Sequence, residues 1–333
     1  MLDDRKALVL QALVEEYIRT GEPVSSRAVL DHSRLTCSSA TVRNELAALE
    51  NEGWVVQPHT SAGRIPTDAG YRYYVDHLSP GSLRSSVRSR IDGFFATVHT
   101  ELRRMLKDTS ELLADITHYP AVVVGPGLRG QTVRDVHLLP IEPGVVLLVI
   151  VTSGGQVRQT VLRNDRPVTP LEVTRAQESL SELIAGQVLD DDVSSLEAPE
   201  GGKDLPVESA DLVDQALGAV EAAARGDRDV YLGGTSHMVS LWEDLAQLHR
   251  VLAIVEREAA IVELLSDEGT GTTVRLGSEL PAKQADLAVV SRSFGSGGTP
   301  GHMGVFGPMR MDYRRTIRVV EEFSEALDEQ LGS

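Results

Sequence analysis

The chain has 333 residues, enough for about two or three domains, and carries 49 acidic against 32 basic side chains, a formal charge of −17. Its single cysteine, Cys37, excludes an internal disulfide and any cysteine-based zinc cluster, and fits a reducing cytoplasm. The most apolar run, residues 145–151, is too short to span a membrane and reads as a buried strand, and nothing looks like a signal peptide.

Residues 5–20 predict an amphipathic helix with Leu8, Leu10, Ala12, Leu13, Tyr17 and Ile18 on its apolar side, stopped by Gly21 and Pro23. Ser25, Ser26 and Arg27 open a second short helix, where free backbone N–H groups suit a phosphate. A turn over residues 35–38 leads to a third helix. There Ser38 stands at the N-cap and Val42, Leu46 and Leu49 recur at helical spacing, so one face is buried and the other is left for work.

That outer face holds Ala40, Thr41, Arg43, Asn44, Ala47 and Ala48. Small residues let a helix sink toward a groove floor, and Arg and Asn can make paired hydrogen bonds to guanine and adenine edges. Thr41, Arg43 and Asn44 are therefore the candidates for base edges, with Ser38 and Ser39 toward phosphates and Arg27 as a phosphate clamp. Residues 54–57 and 64–65 read as strands around a loop, residues 58–63, in which His59, Thr60, Ser61 and the adjoining Arg64 offer polar contacts with no apolar anchor. The pattern is a winged helix-turn-helix for double-stranded DNA; a plain three-helix unit with an ordinary hairpin is the alternative.

Residues 83–117 predict one long helix whose apolar seam needs a partner, either its own domain's sheet or a second subunit. Strands follow at 121–124, 133–141, 144–152 and 156–163, the last two joined by a Gly154-Gly155 turn. Thr169-Pro170-Leu171-Glu172 is a capping box that starts a helix running to about Gly186. Residues 190–204 are acidic and rich in Gly and Ser, as in a linker. After them come a helix at 207–225, strands near Tyr231 and at 273–276 and 287–294, and helices at 238–265 and 311–331. Strands on both sides of the acidic stretch predict one α+β domain interrupted by an insertion.

Motifs that suggest an enzyme fail on context. Gly125-Pro126-Gly127-Leu128-Arg129-Gly130 matches G-x-G-x-x-G, but a dinucleotide loop needs a helix there and residues 132–139 alternate like a strand. Ser236 beside His237 has no spaced acid and reads as a helix N-cap. The histidines show no H-x-x-x-H spacing, so no metal is expected, and no cofactor. Residues 295–301, GSGGTPG, read as a mobile loop.

The acid excess does not fall on the DNA-facing part. Residues 1–79 hold 8 basic and 11 acidic side chains and residues 80–109 hold 6 and 3, so the formal excess lies beyond residue 109. Nonspecific binding should be weak and the salt dependence modest.

The runs GEPVSSRAVL and SSATVRNELAALENEGWVVQPHTSAGRIPTDAGYRYYVD, with the closing Gly307-Pro308-Met309-Arg310-Met311-Asp312-Tyr313 in a GP-x-RM-x-Y pattern, resemble the bacterial HrcA family of heat-inducible transcription repressors. The chain departs from the family's pattern at residues 276–280 and 233–237. The resemblance implies a non-enzymatic, cytoplasmic repressor of chaperone operons that binds the CIRCE inverted repeat as a homodimer, with activity maintained by the GroEL chaperonin. It also implies a GAF-like domain, residues 80–174 and 230–333, carrying an inserted dimerising domain at 175–229, behind a DNA-binding domain at 1–79. A winged-helix regulator whose GAF-like domain senses a small molecule is the second reading.

Overall fold

The computed structural model describes residues 2–33, 35, 37–59, 62–79, 81–96, 102–189, 206–225, 228–242, 245–255, 257–265, 271–280, 286–295 and 299–332. The chain opens with α1 (Asp4–Thr20), α2 (Ser26–Asp31) and α3 (Ser39–Asn51), then a ribbon of β1 (Val55–Val56) and β2 (Ile65–Pro66), then α4 (Asp68–Asp76). Each helix starts where a side-chain oxygen of Asp3, Ser25, Ser38 or Thr67 accepts a backbone N–H of its own first turn. Gly21, at φ 71°, ends α1 by donating its N–H to the Tyr17 carbonyl, a left-handed cap that favours glycine. The first helix buries Val9, Leu10, Leu13 and Val14, while Leu8, expected on the apolar side, is exposed.

The body is built on a five-stranded sheet, antiparallel throughout, in the order β7 (Val230–Gly233), β3 (Ala121–Val124), β10 (Gly301–Gly307), β9 (Ala288–Phe294), β8 (Thr273–Leu276). On one face lie α5 (Ser85–Phe95), α6 (Leu102–Thr117) and α12 (Tyr313–Gly332); on the other, α9 (Met238–Leu241), α10 (Leu245–Val255) and α11 (Glu258–Leu265). Alternation along each strand divides the cores: Ala121 and Val123 join the first, Val122 and Val124 the second. The first core is continuous from Val9 in α1 to Leu327 in α12, so head and body share it.

The long helix expected over residues 83–117 is two, α5 ending at Ala96 and α6 starting at Leu102, with 97–101 outside the described residues. Its seam packs inside the chain: Ile91, Phe95, Met105 and Ile116 are buried, and the Phe95 ring meets Phe323 of α12 edge-on at 6.0 Å. The helix expected at 238–265 is likewise divided into α9, α10 and α11. Strand β10, GHMGVFG, carries no strand signal in the sequence because its glycines weaken β propensity. They are there for close approach: a Cβ on Gly301 would sit 2.4 Å from the Phe294 ring, and one on Gly304 would sit 2.3 Å from Leu265.

A second sheet, the meander β4 (Val133–Glu142), β5 (Val145–Thr152) and β6 (Val157–Arg163), packs its inner face on α7 (Pro170–Ile184) and α8 (Val207–Arg225). This core draws on residues from Leu128 to Ala224. A boundary at 174/175 therefore falls inside α7, and the meander belongs with α7 and α8 rather than with the five-stranded sheet. The capping box at Thr169 and Glu172 is formed. The G-x-G-x-x-G segment runs into strand β4, not a helix, and Ser236 lies within a 3-10 turn started by Gly234 rather than at an N-cap. The acidic residues 190–204 lie outside the described residues.

Candidate nucleic-acid interface

Helix α3 buries Val42, Leu46 and Leu49 completely, which turns Arg43 and Asn44 outward. Both are exposed and make no hydrogen bond or ion pair among the described residues. Their donors and acceptors are free for a ligand. Ala40 is exposed beside them and Ala47 half-exposed, so little bulk separates the backbone of α3 from a partner surface.

The serines are partly committed. Ser25 Oγ accepts the Ala28 N–H at 3.2 Å and Ser38 Oγ accepts the Thr41 N–H at 3.1 Å, as caps do. Thr41, half-buried, lies with its hydroxyl 2.9 Å from Ser38 Oγ. Ser26 and Ser39 meet at 3.3 Å, which brings the starts of α2 and α3 together. Arg27 is 87% exposed with only a loose 3.8 Å contact to Asp31.

The ribbon is short. Val55 pairs with Pro66 and Val56 with Ile65, and Val24 adds a bridge by exchanging two 2.9 Å hydrogen bonds with Arg64. Gly63 permits that approach, since a Cβ there would stand 2.4 Å from the Val24 carbonyl. Across the loop, the Gln57 amide donates to the Ala62 carbonyl at 2.8 Å, and His59 is exposed. Thr60 and Ser61 lie outside the described residues.

Arg64 behaves differently from the sequence expectation. Its side chain is only 16% exposed and its Nε and Nη2 grip Glu50 Oε2 of α3 at 3.0 and 2.9 Å. It fastens the ribbon to α3, and its guanidinium is not free in this arrangement. The partner acid lies 14 residues upstream, and no local pattern signals the pair. Of the expected residues, Arg27, Arg43, Asn44 and His59 are exposed and Ser25 and Ser38 are exposed caps, whereas Ser26 and Ser39 are half-buried where α2 meets α3 and Thr41 is half-buried against the Ser38 cap.

The head is held to the body by polar contacts as well as the shared core. Arg72 of α4 donates from Nε to Glu279 Oε1 at 2.8 Å and from Nη2 to the Val274 carbonyl at 2.6 Å, and Asp68 accepts the Ser278 N–H at 3.1 Å. Arg314 of α12 reaches Glu15 of α1 at 3.1 Å. Tyr313, fully buried, donates to the Met309 carbonyl at 2.6 Å. Thus residues 276–280 and the 307–313 signature both form the seat of the head. No described group of His, Cys, Asp and Glu is arranged to hold a metal, and no described helix is long and apolar enough to cross a membrane.

Comparison with known proteins accords with this layout. The family model described as "HrcA protein C terminal domain" matches residues 103–317. The chain is 36% identical to the heat-inducible transcription repressor HrcA of Symbiobacterium thermophilum, covering 99% of this chain and 98% of that one. It is 34% identical to that of Halalkalibacterium halodurans, again over 99% and 98%, and 35% identical to that of Kocuria rhizophila over the whole of both. A crystal structure described as that of a hypothetical protein superposes with a TM-score of 0.63 at 27% identity over 99% of each chain, so the same mixed α+β architecture has been seen before. With its body matched by the family model and its full length, residues 1–79 included, matched by repressors of one name, the chain belongs to the HrcA family of heat-inducible transcription repressors, regulators rather than enzymes.

Proposed function

We propose that residues 1–79 are a winged helix-turn-helix that reads the CIRCE inverted repeat, that two copies of the chain bind it together, and that the GroEL chaperonin keeps the repressor active. The observation that carries the reading is the outward pair Arg43 and Asn44, unengaged within the fold on a helix whose opposite side is fully buried. An Arg can bond guanine O6 and N7 together and an Asn adenine N6 and N7, so this face has the chemistry for base edges. Ser25, Ser38, Arg27 and His59 surround it with donors for phosphates. Arg64, pinned by Glu50, sets the angle of the wing, and any DNA contact it makes is through what the ion pair leaves accessible.

The meander supports the homodimer. The meander's outer face presents Leu139, Leu147 and Val161 in one cross-strand row, with Ile141 and Val157 nearby. Ile141 is 58% exposed, and Leu139, Val157 and Val161 are about as open. Such a row on a sheet whose other face is already covered by α7 and α8 suits a second copy. We take this inserted dimerising unit to run from about residue 131 to 225, with the GAF-like sheet on either side of it. Two heads held by one symmetric joint add their binding free energies, which is what an inverted repeat requires.

Dependence on GroEL is supported by topology. Strand β3 pairs with β7 and β10, which are reached only after the whole insertion has been made, so apolar surface stays exposed while the body assembles. The cytoplasm, where both operator and chaperonin reside, is the setting this reading requires. Gel retardation with a CIRCE duplex and a scrambled duplex, using chain refolded with and without GroEL and ATP, tests all three parts. Selective retardation of CIRCE that rises with the chaperonin supports them. Equal retardation of both duplexes would remove the operator, and indifference to the chaperonin would remove its role.

A further inference from the structure

Where the head meets the body lies a polar cavity of about 430 Å³, within the range of small-molecule sites. The head contributes Tyr17, Glu22, Asp68 and Tyr71, and the body contributes Asp286 and Arg310. Tyr71 is only 3% exposed, and its hydroxyl is buried without a hydrogen-bond partner among the described residues. Native interiors seldom leave such a group unpaired, and the exceptions point to a ligand or a function.

Among the described lining residues the charge is also unbalanced, with three carboxylates against the one guanidinium of Arg310. Asp68 already accepts the Ser278 N–H. Asp286 is the uncomfortable one. Burial pushes its carboxyl above the usual range, although the Met309 N–H and the Arg310 charge both favour ionisation. Its backbone is fixed by the Trp242 indole, which donates to the Asp286 carbonyl at 3.3 Å, so the carboxyl is held where it is.

We propose that this cavity binds a small zwitterion with surplus positive charge, of the basic amino-acid class. Its carboxylate meets Arg310 and accepts from the Tyr71 hydroxyl, and its ammonium groups meet Asp286 and Glu22. Asp286, Glu22 and Arg310 then each have a partner of opposite sign, Asp68 keeps the Ser278 N–H, and the orphan hydroxyl has an acceptor. The cavity is bounded by Gly21, which ends α1, and by Ile65 and Pro66 of the ribbon, so a ligand there touches the head and the body at once. A molecule that touches head and body at once favours the arrangement that fits it, and so biases the placement of the head. The binding site stands on the cavity alone; its effect on operator binding rests on the DNA-reading role given to residues 1–79.

Thermal unfolding of the full chain with L-lysine, L-arginine, L-glutamate or putrescine tests the site. Either basic amino acid should raise the melting temperature in a dose-dependent way, by about 3 °C at tenfold its dissociation constant. Glutamate lacks the second cation and putrescine the carboxylate, so both should do much less. Tyr71→Phe and Arg310→Gln should keep the native circular dichroism and lose the shift. No shift from lysine or arginine, or a shift that survives in both variants, overturns the proposal. Operator retardation with and without L-lysine separates the two claims: an intact thermal shift with unchanged retardation overturns the coupling, and an intact shift in a chain that retards no operator counts against the DNA-reading role instead.

Discussion

Arg43 and Arg27 are both exposed arginines, yet they stand at different places on their helices. Arg43 projects from the middle of α3, whereas Arg27 sits in the first turn of α2. Truncating Arg43 to Ala should cost about 1–3 kcal/mol on the operator and relax sequence preference, while Arg27→Ala should weaken all duplexes alike. Competition titrations against a scrambled duplex measure the difference, and equal losses for Arg43→Ala on both duplexes would refute the division. A second residue-scale expectation concerns Asp286, whose carboxyl is raised by burial. An acid that titrates higher in the folded state than in the unfolded one weakens the fold once pH passes its unfolded value, most fully above its folded value, and has no effect below both. Asp286→Asn should therefore raise the melting temperature at neutral pH, with the gain fading as pH falls below the carboxylate range. A gain unchanged at acid pH would mean that packing, not charge, is responsible. The residues legible in the sequence were those with local signatures: Ser38 as a cap, and Val42, Leu46 and Leu49 at helical spacing. Arg64 was not, because its fate depends on Glu50 reaching it across the fold.

Helices with caps and regular apolar spacing were readable as elements, and so were the meander strands. Their alternation shows in the chain and in the burial pattern of β5, whose side chains turn inward at Val146, Leu148 and Ile150. Element ends set by distant contacts were harder to place. Nothing local announces that β10 is the centre of a sheet, since its glycines are selected by Phe294, Leu265 and Met311 packing against them. The insertion's start was hidden for a related reason: strands of two sheets follow one another without a break in pattern, and only packing assigns β4 to α7, where Gln177 bonds both the Val136 carbonyl and the Leu138 N–H along the edge strand. The ribbon depends on one glycine. A methyl group at residue 63 would meet the Val24 backbone, which has nowhere to yield, so Gly63→Ala should cost about 1–3 kcal/mol of stability and loosen the wing. Chemical denaturation checks the cost. An unaltered midpoint would show that the Val24 bridge contributes nothing.

Across the whole molecule, residues 1–79 share a core with the five-stranded sheet, and the meander with α7 and α8 has a core of its own. The meander, proposed above as the joint between copies, belongs to the separate core and not to the one that head and body share. Val161→Glu, placed in the outer apolar row, should yield folded monomers with much weaker operator binding, because each head alone reads only a few base pairs. Analytical ultracentrifugation should show the change in mass; a variant that stays dimeric would place the interface elsewhere. The formal acid excess sits beyond residue 109 in the sequence, and an acidic chain of this kind should bind nonspecific DNA weakly. We propose above that two α3 helices, fixed by one two-fold joint, read two half-sites together. Hydroxyl-radical footprinting of the full chain on a promoter fragment carrying the CIRCE repeat tests it most directly. Two protected half-sites related by symmetry are expected, filled together at two chains per duplex, and both lost when Arg43 is replaced by Ala. Protection of a single half-site at one chain per duplex, or a footprint indifferent to Arg43, would contradict it.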